Sequence, residues 1–466
     1  MIASQAPGAS RRTGAITDIT DYQNGMQPAR PAHRLMRMKN ELRTAAGLVL
    51  ALAAAGCGAT TTAPAPPQAR LVVAHGVALR EPLADPRPYG AADTVLGLDT
   101  LGAWCRSAPR DNLLLSPSSL ASGLGMAYLG ARGGTAQAMA SVLHLPAAGG
   151  QALEAGLQAR SAALRRLDGP GVTVDTADQV WADPSLTTNR GYLNAVATGY
   201  DAGVAQVPLL DRPDQAAQEI SRAIAAATHG QIPQLLPPGS LQGIGWVLTD
   251  ALYLKAAWAS PFQPSQTGPG PFTTAGGQNL SVSFMNGGPY ATASVDGWTA
   301  AWLPYRGGRL AMIALLPPSG AGRCALPAAA QIRALTTTLA TGGTKPGTNP
   351  VLAREVGLPK VTLQDKVSMR DLLTELGMGV AFTPAADFTG LSPQACCIGL
   401  VEQAATLRVG EQGTVASAAT AIGISASAER GGPPPLTFDR PYLMVVTDVA
   451  TGEPLIMARV ADPSAR

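Results

Sequence analysis

The sequence predicts an α+β domain, and three observations carry that prediction. Apolar runs closed by turn residues, "GWVLTDALYLKAAW" (245–258) and "LAMIALLPP" (310–318), read as buried strands. Helical patterns stand in separate blocks, at 116–145 and 367–378. Nowhere does strand alternate with helix regularly enough for a parallel sheet, and there is no internal repeat. The chain has 466 residues, 46% hydrophobic and 14% charged, so it can bury one large core or two ordinary ones. Because nothing after the N-terminal region looks like a linker, the sequence predicts one domain over 91–466.

At the N-terminus, "RLMRMKNELRTAAGLVLALAAAGC" (34–57) sets Arg34, Arg37, Lys39 and Arg43 ahead of an apolar run from Ala45 to Ala55. That is the order of a signal peptide, and the run is well short of the roughly 20 residues that span a bilayer. The run ends in Ala54-Ala55-Gly56-Cys57, which resembles a bacterial lipobox with Ala54 where Leu is usual, so Cys57 is the expected site of lipidation. Residues 1–35 are then an upstream extension, with the true start at Met36 or Met38, and 36–57 the signal. Residues 58–90, including the Pro-rich "TTTAPAPPQA" (60–69), are the tether and entry segment. The expected location is extracellular, either lipid-anchored at the cell surface or secreted, with the anchor the only membrane contact.

Along the body, Ser116 with Pro117 opens a helix whose apolar faces carry Leu120, Leu124 and Met126–Leu129. The corner Gly130–Gly134 ends it, and Thr135 is expected to cap a second helix carrying Met139, Val142 and Leu143. The two strands named above follow, then an amphipathic helix, "VSMRDLLTELGM" (367–378). "PYLMVVTDVATGEPLIMARV" (441–460) closes the chain as a hairpin about a Thr-Gly-Glu-Pro turn.

The net charge of +3, without a basic block, and an aromatic content of 5% argue against a nucleic-acid partner. Catalysis is not expected. Of the four histidines, His33 precedes the signal, while His144 at a helix end and His229 before a glycine read as capping or solvated residues. There is no G-x-S-x-G elbow, since "GISAS" (423–427) lacks the last glycine, and no H-E-x-x-H, P-loop or G-x-G-x-x-G. No cofactor is implied. With Cys57 lipidated, Cys105, Cys324, Cys396 and Cys397 allow three pairings, between which the sequence does not choose. Adjacent Cys396 and Cys397 do not make a metal site without a second cluster.

One stretch stands apart. "EQGTVASAATAIGISASAER" (411–430) has no charged side chain from Thr414 to Ala428. As a strand it presents Thr414, Ala416, Ala418, Thr420, Ile422 and Ile424 on one face and Val415, Ser417, Ala419, Ala421, Gly423 and Ser425 on the other. Both faces suit burial in mid-sheet as well as exposure, and Gly413 supplies backbone freedom for a hinge. Composition alone favours a linker or a plain buried strand.

Glu411-Gln412-Gly413-Thr414 followed by Ala416-Ser417-Ala418-Ala419 resembles the proximal hinge of inhibitory serpins. Segments 112–145, 220–236, 248–262, 358–392 and 438–463 resemble that family in the same order, so the likeness spans most of 95–463. The resemblance implies a serpin fold of three β-sheets and about nine helices with an exposed reactive-centre loop. It implies a monomeric inhibitor in which a serine protease attacks the loop, forms an acyl-enzyme, and is trapped when the cut loop inserts as a central strand. Counting from Glu411 as in typical members puts the cleaved bond between Ser427 and Ala428, which suits elastase-like or subtilisin-like targets; a later cut would use Arg430 and a trypsin-like target. Carried over by position, Thr414 and Ala416–Ala419 serve insertion, Ser116 and Ser119 lie where the sheet opens, and Trp258 lies near the entry point. Gln403 departs from the His of many serpins, Asp250 and Ser221 from Asn, and Ala256 from Gly. The rival readings are a serpin-fold binding module without trapping, and a hydrolase using a loop serine. The hinge has no bulky, charged or Pro residue between Gly413 and Ala421, which favours inhibition, and the hydrolase lacks a base.

Overall fold

The computed structural model of the protein describes residues 71–80, 84–146, 150–342, 351–414 and 433–465. In chain order its first strands are β1 (Val72–Ala74), β2 (Leu113–Leu115), β3 (Val172–Thr176), β4 (Gln179–Ala182), β5 (Val204–Gln206), β6 (Trp246–Ala257), β7 (Thr267–Thr273) and β8 (Asn279–Val295). There follow β9 (Trp298–Pro304), β10 (Leu310–Leu316), β11 (Leu352–Pro359), β12 (Val361–Ser368), β13 (Val401–Gly410), β14 (Gly413–Thr414), β15 (Leu436–Thr437), β16 (Tyr442–Asp448) and β17 (Pro454–Val460). The helices are α1 (Arg87–Ser107), α2 (Pro117–Gly130), α3 (Gly133–Val142), α4 (Gly150–Arg165), α5 (Arg190–Tyr200), α6 (Pro213–Ala227), α7 (Ala329–Thr341) and α8 (Arg370–Leu373).

Local chemistry sets several of these boundaries. Ser116 caps α2, its Oγ accepting the Ser119 N–H, and Pro117 sits in the first turn, where a missing N–H costs nothing. Thr135 does not cap α3. That helix begins earlier, after Arg132, and the Thr135 hydroxyl instead accepts the Asp387 N–H at 2.9 Å. The helix expected over 367–378 is also shorter, because Val367 and Ser368 still pair with Gln403 and Glu402 in the β12–β13 ladder. Pairing overrides the helical pattern there, and α8 starts only at Arg370.

Among the described residues the strands form two hydrogen-bonded networks. The first runs β1-β5-β4-β6-β14-β13-β12 with β3 also on β6; the second runs β15-β11-β8-β9-β10-β16-β17-β2 with β7 on β8. The expected three sheets appear as two networks because the long β8 pairs with β7 and β11 along its first part and with β9 at its end. The fold is α+β, with eight α-helices among the described residues.

β10 and β16 are buried at every position. Ile313, Leu315, Leu443 and Val445 pack with Leu96, Leu120 and Leu335 of the helices, whereas Met312, Ala314, Met444 and Val446 pack with Leu254 and Leu407 of the first network. Burial on both faces is why these strands read as unbroken apolar runs. The terminal hairpin forms as expected, β16 antiparallel to β17. Behind it, buried Arg160 donates to Asp93 and Glu453 at 2.7 Å each and to Ser122 and the Ser118 carbonyl, which joins α1, α2 and α4 to the hairpin turn.

Of the three cysteine pairings, Cys105–Cys324 is made, tying α1 to the segment before α7. Part of the expected entry segment belongs to the body: β1 pairs with β5 at the sheet edge, and the Val77 and Leu79 N–H groups donate to Asn194 Oδ1 and Thr198 Oγ1. Cys57, the signal and the Pro-rich tether lie outside the described residues.

Candidate functional site

β6 and β13 are parallel and pair directly only over Leu248–Ala251 and Val401–Ala404. Beyond that point β14 stands between them. Gly413 and Thr414 pair with Ala257 and Ala256 of β6 on one side, and with Gly410 and Val409 of β13 on the other. The strands therefore fork, and 252–255 of β6 have no ladder pairing with 405–408 of β13. A fork of this kind offers two strand edges to whatever chain continues from Thr414.

The head of the fork is tied from several sides. Gly413 has φ of 144°, and a Cβ there would collide with the Ala256 carbonyl, so the position requires glycine. Thr414 is 1% exposed, and its hydroxyl lies 2.6 Å from that of Tyr305. Tyr305 stacks on Trp258 with ring centroids 4.5 Å apart and planes 10° from parallel. Trp258 in turn donates its backbone N–H to Gln412 O at 3.0 Å and its Nε1–H to Gly410 O at 2.9 Å, and Phe262 N–H donates to Glu411 O at 2.9 Å. Glu411 Oε1 accepts from Lys360 Nζ at 2.9 Å and from Thr267 Oγ1 at 3.1 Å. Partial burial pushes the Glu411 carboxyl upward, but these bonds outweigh it and hold the group below its ordinary range.

The closed part of the sheet is tied to α2 beneath it. Gln403, directly opposite Asp250 in the ladder, donates Nε2–H to Ser116 O at 2.9 Å and accepts the Ser116 N–H at 3.3 Å. Ser116 Oγ donates to Leu455 O at 2.8 Å. Ser119 Oγ is buried there with no hydrogen-bond partner among the described residues. Ser221 belongs elsewhere: its hydroxyl bonds the backbone of Leu236.

The structure thus brings together Glu411, Gly413, Thr414 and Trp258 at the head of the fork, and Ser116, Ser119 and Gln403 at its closed end. Ala416, Ser417, Ala418, Ala419, Ser427, Ala428 and Arg430 lie outside the described residues. Sequence reasoning missed Tyr305, Lys360, Thr267 and Phe262, which meet the hinge from positions at least 50 residues away and carry no local signal. His144 and His229 adopt left-handed φ of 48° and 51°, each with Nε2 near an aspartate, Asp99 and Asp175. No serine hydroxyl among the described residues hydrogen-bonds to either.

A family model described as Serpin (serine protease inhibitor) matches residues 91–463, and the chain belongs to that family. It is 27% identical to a leukocyte elastase inhibitor of Bos taurus, over 80% of this chain and 99% of the relative. It is 29% identical to an uncharacterised serpin-like protein of Thermococcus kodakarensis, over 76% of this chain and 81% of that one. Among solved structures, uncleaved ovalbumin superposes with a TM-score of 0.68 at 22% identity, covering 80% of this chain and all of that one. Native tengpin, a thermophilic serpin, gives 0.67 at 20% identity, covering 84% and 97%. These two likenesses concern the fold.

Proposed function

We propose that this chain inhibits a serine protease by suicide-substrate trapping, drawing its cut loop into the fork between β6 and β13. The observation that carries the reading is the position of Gly413 and Thr414, paired on both sides at the head of that fork. Continued antiparallel from Thr414, the register sets Val415–Ala418 against 255–252 of β6 and 408–405 of β13, the positions that lack direct pairing. On that continuation four small or β-branched uncharged residues would fill the fork. Insertion beyond Ala418 must unzip the Leu248–Ala251 and Val401–Ala404 pairs.

In the trapping step the protease serine Oγ bonds to the Ser427 carbonyl carbon, the Ser427–Ala428 bond breaks, and the Ala428 amine leaves with a proton. The ester is then carried along with the inserting strand before water reaches it. Small residues about the bond suit an elastase-like or subtilisin-like enzyme, acting on a monomeric inhibitor exported and anchored through Cys57. The Cys105–Cys324 disulfide supports an oxidising location.

The test mixes the purified chain separately with elastase, subtilisin and trypsin. A complex that survives denaturing electrophoresis, with a released fragment beginning at Ala428, is expected with elastase or subtilisin. A complex with trypsin and a fragment beginning at Gly431 would move the bond to Arg430. Cleavage with no complex would overturn the inhibitor and leave a serpin-fold binding module.

A further inference from the structure

We propose that Cys396 and Cys397, just ahead of β13, form a reversible vicinal disulfide. Their Sγ atoms lie 2.6 Å apart, a short step from the ~2.05 Å of a disulfide bond. Cys396 is exposed and Cys397 half-buried, so a small disulfide can reach the pair. The backbone is pinned on both sides, Ala395 N–H to Ser392 O at 3.1 Å and Ile398 N–H to Ala381 O at 2.9 Å, which keeps the two thiols in each other's reach. The fold already carries one disulfide, at Cys105–Cys324, and these two are the free cysteines among the described residues.

Neighbouring residues have Cα atoms only ~3.8 Å apart across a trans peptide, below the ~4.4 Å at which ordinary disulfides begin. The bond is therefore strained and easily reduced, which suits a switch and not a permanent staple. In closing, the Cys396 thiolate attacks a low-molecular-weight disulfide and expels one thiolate. Cys397, deprotonated, then attacks Cys396 Sγ and expels the second. Two cysteine thiols are oxidised, one small disulfide is reduced to two thiols, and the protons balance. Burial first, and then the hydrogen bond and charge of Cys396, push the Cys397 thiol up to about 11, while the Arg370 cation opposes them.

The pair precedes Val401, the first residue of β13 that pairs with β6. Closing a small ring there stiffens the root of the strand that must part from β6, so oxidation slows insertion beyond Ala418. This consequence rests on the trapping mechanism proposed above; the disulfide does not.

The test incubates the folded chain with oxidised glutathione, then denatures it without reductant, alkylates free thiols and digests it with trypsin. The peptide Asp371–Arg408 should come back unalkylated and about 2 Da lighter than its reduced form. Reduced chain should bind one phenylarsine oxide, and oxidised chain or Cys396→Ser none. Two alkylated cysteines, stable glutathione adducts on both, or dimers disulfide-linked through Cys396 or Cys397 would each overturn the proposal. For the consequence, the loop is nicked and its insertion followed as a rise in Tm: insertion several-fold slower in the oxidised form is expected, and equal rates would sink the coupling. A chain whose cut loop never inserts would refute the trapping mechanism and leave the thiol result standing.

Discussion

The hydroxyls of Thr414 and Tyr305 meet at 2.6 Å inside the protein, 109 residues apart in sequence. Thr414 is the last described residue of the hinge, and Tyr305 follows β9 of the second network, so this bond holds the start of the loop against the opposite layer. Through the stack of Tyr305 on Trp258, and the bonds of Trp258 to Gly410 and Gln412, residues 410–414 are fixed at the head of the fork.

Thr414→Arg should leave the loop cleavable and abolish trapping. A guanidinium at a site 1% exposed would be buried without a partner, at several kcal/mol. The ratio of complex to cleaved chain on a denaturing gel should fall at least tenfold. Wild-type yields would sink the insertion mechanism.

Gly413→Ala should drive the hinge out of the fork, since the new Cβ meets the Ala256 carbonyl at a backbone angle that L side chains avoid. The cost is about 1–3 kcal/mol, read by urea denaturation, and proteolysis around 411–414 should quicken. An unchanged denaturation midpoint would show that the hinge does not depend on this angle.

Glu411 links the hinge to acidity. Its folded-state pKa lies below the ordinary 4.5, so its stabilising contribution is fully present above that value and is lost as pH falls through the lower folded value. Below that, the bond to Lys360 loses its charge. Tm measured from pH 6 down to about 2.5 should fall less steeply in Glu411→Gln than in wild type. Parallel curves would assign the acid sensitivity to other groups.

Gln403→Ala would strip both backbone bonds from Ser116 in the closed part of the sheet. Two buried groups lose their partner, at about 1–3 kcal/mol each, unless water enters. Stability should drop while insertion of the cut loop accelerates, because β13 is released from α2 where it must unzip. A destabilised variant that inserts no faster would make Gln403 a purely structural residue.

Much of the fold was legible because its strongest signals are local. Apolar runs announced β6, β10 and the terminal hairpin, and Ser116-Pro117 announced α2. Where pairing competes with local pattern the sequence misled: Val367 and Ser368 belong to a strand, and Thr135 spends its hydroxyl on Asp387 instead of on its own helix. The hinge motif pointed to Gly413 and Thr414 and the family resemblance to Trp258, and the structure puts Trp258 against 410–412, beside them.

By itself the sequence determined the α+β class and the family, and it singled out the uncharged stretch that follows Gly413, since composition and ordered motifs are properties of the chain alone. Only the tertiary structure decided which two cysteines pair, that Tyr305, Lys360 and Thr267 grip the hinge, and that β6 and β13 part after Ala251 and Ala404. Those depend on distances between residues far apart in the chain, and packing sets such distances.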